Sequence, residues 1–146
     1  MPIYVKIKGS FPGFHRWPDA PKEFYKLSIL HEHTFHFVAE IREEAPREIE
    51  FLALAEQISQ ALYEYLQKHP AFSCEQMAEA LFKWLDDGWQ VPPGRVVSVE
   101  INEDDSCGAI YRLSQEERQL REAHRTGQML LGIRPQDLET ANKGEL

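Results

Sequence analysis

Residues 29–37, Ile-Leu-His-Glu-His-Thr-Phe-His-Phe, place three histidines in an apolar, β-prone stretch. A half-buried strand favours Val, Ile, Phe and Tyr, and a buried imidazole needs partners for both ring nitrogens. Residues two apart on a strand point the same way. His31 and His33 therefore leave one face about 7 Å apart, at ~3.3 Å per residue. Two imidazoles at that spacing can converge on one metal ion, while His36 points to the opposite face. The third ligand must come from elsewhere, and His15, in the loop after the neighbouring strand, is the natural candidate. Three histidines with an open fourth position are the donor set of a catalytic zinc site, which acidifies what binds there. Imidazole also suits other transition metals. His36, His69 and His124 read as ordinary hydrogen-bonded or exposed side chains, the commoner fate of a lone histidine.

These residues must be positioned by the elements around them. "PIYVKIKG" alternates, with Ile3, Val5 and Ile7 on one side, and predicts a first strand closed by Gly9. Pro12, Gly13, Pro18 and Pro21 predict a long irregular connection over residues 10–30. Residues 31–43 predict a second strand with His33, Phe35, Phe37, Ala39 and Ile41 on one face, a hairpin partner of the first. From Ile49 the period becomes helical, through Leu52, Ile58, Leu62, Tyr65 and Leu66 to Pro70. "SCEQ", starting at Ser73, is a capping box for a second helix with Met77, Leu81, Trp84 and Leu85 on one stripe. Gly88 and Pro92-Pro93-Gly94 end it. "RVVSVEINE" and "GAIYRL" predict the third and fourth strands, and Ser114 caps a charged helix through Glu117. The tail after Pro135 reads as polar and frayed.

The order β-β-α-α-β-β plus a C-terminal helix is that of an α+β domain with antiparallel strands and helices on one face. The expected division is a domain over residues 1–113 and a helix with a polar tail over 114–146. At 146 residues the chain can bury a core without disulfides. Cys74 and Cys107 lie far apart without CxxC spacing, so neither a zinc knuckle nor a disulfide framework is expected, and a reducing cytoplasm is. The N-terminus does not read as a signal peptide, and no stretch approaches the roughly 20 apolar residues of a membrane helix. A formal charge of −8 argues against a nucleic-acid-binding surface.

"FPGFHRWPDAP…ILHEHTFHF" resembles the signature of the 6-pyruvoyl-tetrahydropterin synthase and 6-carboxy-tetrahydropterin synthase (queuosine-pathway) family. Members carry a His shortly after the first strand and a His-Gly-His pair opening the second. "FSCEQMAEALFKWL" is similar to the family's second-helix entry, "EIEFLALAEQI" to the start of its first helix, and "VVSVEINEDDSCGAIYR" to its closing strands. The resemblance spans residues 3–112. It implies the tunnelling or T-fold, in which subunits close a β-barrel ring with sites between them. It also implies a homo-oligomer, a hexamer of two rings, with zinc on His15, His31 and His33. Glu103 is implied to anchor a pterin, a sound chemical choice because a carboxylate pairs with two parallel N–H donors. Without the resemblance Glu103 reads as a strand-end surface carboxylate.

The departures bear on activity. Family enzymes place a base, Cys, four residues before the first His of the pair. Leu27 stands there, with Lys26 or Ser28 one residue away, and none is a competent thiolate. The family's proton-relaying Asp-His pair falls in "YLQKHPAF", where His69 has Gln67 and Lys68 beside it but no Asp. Glu32 replaces the Gly of the His-x-His, and alternation aims it away from the metal face. Three residues are candidate replacements for the missing machinery: Glu23, a loop carboxylate eight residues before His31; His69; and Cys107, whose thiolate Asp104 and Asp105 would disfavour. The expectation is a zinc-dependent lyase-type pterin synthase relative acting on 7,8-dihydroneopterin triphosphate or a related pterin. The alternatives are a non-enzymatic pterin- or purine-binding module that keeps zinc, and a ring-forming scaffold with neither metal nor ligand.

Overall fold

The computed structural model describes residues 2–131. Four antiparallel strands, β1 (Ile3–His15), β2 (His31–Glu43), β3 (Val96–Glu103) and β4 (Cys107–Arg112), form one sheet in the order β1-β2-β3-β4. Two helices, α1 (Phe51–Lys68) and α2 (Cys74–Asp86), separate β2 from β3, and a third, α3 (Gln115–Leu131), follows β4. The α+β class and the element order are those expected. Among the described residues, those up to Arg112 form one compact unit, and those from Leu113 to Leu131 belong to a second. Ser114 caps α3, with its hydroxyl accepting from the Glu117 N–H. The tail after Pro135 lies outside the described residues.

The core is built by alternation meeting a helical stripe. Val5, Ile7, Phe11, Phe35, Phe37, Ala39, Ile41, Val99 and Ile101 are buried on one face of the sheet. Leu54, Ile58, Leu62 and Leu66, each four residues on, give α1 its buried edge, and Met77, Ala78, Leu81, Phe82 and Leu85 do the same for α2. The expected stripe of α1 needs one correction. Leu52 is 80% exposed, and Leu54 is buried in its place. The helix begins at Phe51, capped by the Glu50 side chain on the Ala53 N–H, so Ile49 is buried ahead of it rather than within it. The Ser73–Gln76 capping box at α2 is formed in both directions.

The larger correction concerns β1. The strand does not close at Gly9; it runs unbroken through Pro12 and Gly13 to His15. Two features permit this. β1 lies at an edge of the sheet, where proline is tolerated. Gly13 lies close against α1: an added Cβ would lie 2.6 Å from Leu66 Cδ2. Glycine here reflects close packing of strand on helix, not a turn. The irregular connection is correspondingly shorter and contains a 3₁₀ segment, Lys22–Ser28.

Candidate metal and ligand site

Extending β1 puts His15 on the last rung of the sheet rather than in a loop. It pairs opposite His31, and Gly13 opposite His33. By alternation, His15, His31 and His33 continue the buried face of Phe11 and Phe35. The three rings meet edge-on with centroids 4.7–5.1 Å apart. One nitrogen from each lies within 4.8 Å of the others, a grouping that could hold a metal ion.

The outer nitrogens explain the orientation. His15 Nδ1 lies 3.0 Å from the Phe72 carbonyl, His31 Nδ1 2.8 Å from the Ile29 carbonyl, and His33 Nδ1 2.9 Å from Asp104 Oδ2. Carbonyls and ionised carboxylates only accept, so each Nδ1–H is the donor in these contacts and each Nε2 is the atom turned toward the other rings. Burial lowers the His15 pKa, more than the Phe72 contact and the Glu103 charge raise it, which favours the neutral, metal-binding ring. The Phe72 carbonyl is fixed by the tight α1–α2 connection. There the Pro70 carbonyl accepts from Arg16 N–H at 2.8 Å, and Phe72 N–H donates to the His69 carbonyl.

Glu103, the last residue of β3, completes the cluster. Its Oε1 is 3.2 Å from His15 Nε2 and its Oε2 3.6 Å from His33 Nε2. The same residue lines a cavity of about 720 Å³ that also takes in His15, His31, Trp17, Leu27, Cys74 and Cys107. Asp104, next in sequence, has its carboxyl held below the usual range, first by the His33 hydrogen bond and then by the Thr34 N–H.

The candidate catalytic residues are placed differently. Cys107 opens β4, faces Glu103 in the ladder, is exposed and lines the cavity. Glu23 sits in the exposed 3₁₀ segment and His69 at the end of α1, in tilted ring contact with Tyr65 and Phe72; neither lines the cavity. His36 is directed instead toward Asp105, 3.9 Å away. Leu27 does line the cavity, and its carbonyl accepts from Trp17 N–H. Sequence reasoning missed Cys74, Trp17 and Asp104. Cys74 begins α2, a position that ordinarily favours a thiolate. Here burial and then the negative charge of Glu103 push its pKa up to about 12, so it stays a neutral thiol beside that carboxylate.

A four-stranded antiparallel α+β domain with three histidines converging at one end of its sheet has the features of a T-fold protein with a histidine centre. The chain belongs to the 6-pyruvoyl tetrahydropterin synthase family, whose model matches residues 4–114. It is similar to the solved structure of 6-pyruvoyl tetrahydropterin synthase from Caenorhabditis elegans, with 17% identity and a TM-score of 0.54. The match covers 78% of this chain and 97% of that one. At that identity the similarity establishes the fold. Comparison with curated protein sequences gives no match.

Proposed function

We propose that this chain is a zinc-dependent, pterin-synthase-like protein that binds 7,8-dihydroneopterin triphosphate or a related pterin and has lost the family's ordinary proton-transfer machinery. One observation carries the reading: Glu103 belongs both to the histidine cluster and to the wall of the cavity. The donor set fits zinc, because three imidazoles bring one nitrogen each within 4.8 Å of the others while their Nδ1–H groups are engaged elsewhere. His15, His31 and His33 would hold the ion, which would supply Lewis-acid polarisation of a side-chain hydroxyl or carbonyl of the ligand. A cavity of about 720 Å³ lies within the ordinary range for small-molecule sites. In this reading Glu103 accepts two N–H donors from the pterin edge and fixes the ring, and Trp17 supplies apolar surface at the wall.

What the site lacks is a base at the family's position. Leu27 supplies an aliphatic side chain to the cavity, and general acid–base assistance contributes typically ~10²–10⁴-fold. Zinc-loaded protein given 7,8-dihydroneopterin triphosphate should therefore turn over at least about 100-fold more slowly than a family enzyme that carries the Cys. Steady-state product analysis reads this directly. Rates equal to those of such an enzyme would mean that a base is present, with Cys107 the first to substitute because it lines the cavity. Complete loss of turnover with binding intact would favour the non-enzymatic pterin- or purine-binding module, a reading that Leu27 specifically supports.

Self-association is part of the proposal. Among the described residues, the order β1-β2-β3-β4 leaves the outer sides of β1 and β4 without a neighbouring strand, and ring closure with further copies would pair them. The expected species is a homo-oligomer, a hexamer of two rings, located in the cytoplasm. A monodisperse monomer near 17.0 kDa by light scattering at micromolar concentration would contradict it.

A further inference from the structure

We propose that Asp104 is the positioning residue of the histidine centre, fixing His33 as a metal ligand and giving the centre an anionic partner. The inference rests on the metal reading above and extends it to a residue for which neither the motifs nor the resemblance supplies a role. Asp104 is held at both ends against a two-residue stretch of β2. Its backbone N–H donates to the Thr34 carbonyl at 2.7 Å. One carboxylate oxygen accepts from the Thr34 N–H at 3.0 Å, and the other lies 2.9 Å from His33 Nδ1. This geometry exists because the β2–β3 ladder ends at Phe35↔Glu103, and the next residue turns into the left-handed region at φ 52°. Asp and Asn tolerate that conformation better than most side chains.

The chemistry follows from what a carboxylate can do. With both oxygens committed as acceptors, it favours the His33 ring proton on Nδ1 and turns Nε2, which faces Glu103, toward the place a cation would take. His15 and His31 are oriented by neutral peptide carbonyls, so among the three histidines only His33 has a charged outer partner. A carboxylate behind a ligating imidazole makes it a stronger donor and offsets cationic charge, and removing such a partner typically costs ~10–100-fold in metal affinity. The Asp104 side chain is 58% exposed, which places the expected effect near the lower end, about tenfold.

Asp104→Asn discriminates sharply. It keeps the size and the left-handed tolerance, so the turn is retained. Thr34 N–H and His33 Nδ1–H face different oxygens of Asp104, and the amide oxygen of Asn can stand in the place of only one of them. Either one bond is lost, or the amide donates to Nδ1 and moves the ring proton to Nε2, the wrong tautomer for binding. The experiment is competition of a zinc chelator against full-length wild type, Asp104→Asn and Asp105→Asn. It is combined with ¹⁵N NMR of the histidine rings in the metal-free proteins. Asp105 faces His36 and serves as the control. The expected result is zinc binding about tenfold weaker in Asp104→Asn, wild-type affinity in Asp105→Asn, and a wild-type His33 protonated at Nδ1. Equal affinity in Asp104→Asn and wild type would overturn the assignment, and so would a wild-type His33 protonated at Nε2, which is legible even if the variant misfolds. Failure of the wild type to take up zinc would instead overturn the metal reading, with the ring tautomer still deciding the part played by Asp104.

Discussion

Replacing His31 and His33 together with alanine should reduce the zinc carried by the purified protein from about one ion per chain to a trace. Both rings belong to the cluster whose ligating nitrogens lie within 4.8 Å of one another, and His15 alone cannot replace a three-point donor set. The fold should survive. His31 and His33 lie at the open end of the sheet, whereas Phe35, Phe37, Ala39 and Ile41 supply the buried surface of β2. Elemental analysis of protein prepared without added metal, with a thermal melt of the same samples, checks both statements. Full zinc occupancy in the double variant would remove the assignment of the ligands.

Glu103→Ala should weaken pterin binding by roughly 30-fold to several thousand-fold, the equivalent of ~2–5 kcal/mol for truncating one side of a desolvated charged pair. The argument is geometric. Glu103 ends β3 with its carboxylate between the histidine cluster and the cavity, and its side chain is 33% exposed. Partial exposure puts the expected loss at the low end of that range. The variant also removes the carboxylate that Cys74 and His15 adjoin, so zinc content must be measured beside binding. Calorimetric titration of zinc-loaded wild type and variant reads the difference. Equal affinities would take Glu103 out of the ligand site and leave it as a partner of the histidines alone.

Much of this was legible in the sequence because periodicity is a local signal. β2 announces itself by strict alternation from His33 to Ile41, α2 by its capping box and apolar stripe, and α3 by Ser114 and Glu117. The second half of β1 was not legible. Gly9, Pro12 and Gly13 carry the residue types of a turn, and only tertiary context shows their use. Pro12 sits on an edge strand, and Gly13 lies where Leu66 leaves no room for a side chain. His15 accordingly reads as a loop residue, although it ends a strand. Leu52 fits the apolar stripe as well as Leu54 does because a helical period fits several phases over a short segment, and packing against the sheet selects Leu54. Asp104 and Cys74 escaped for a different reason. Asp104 reaches His33 across 71 residues of chain, and Cys74 meets Glu103 only once α2 is docked on β3. Such pairings depend on register, which composition does not encode.

The most direct test of the central claim is calorimetric titration of the zinc-loaded wild-type protein with 7,8-dihydroneopterin. A pterin site built on the histidine centre and Glu103 predicts saturable binding near one ligand per chain, and weakened binding once zinc has been stripped. No saturable binding to the zinc-loaded protein, or binding of equal strength with and without zinc, would contradict it.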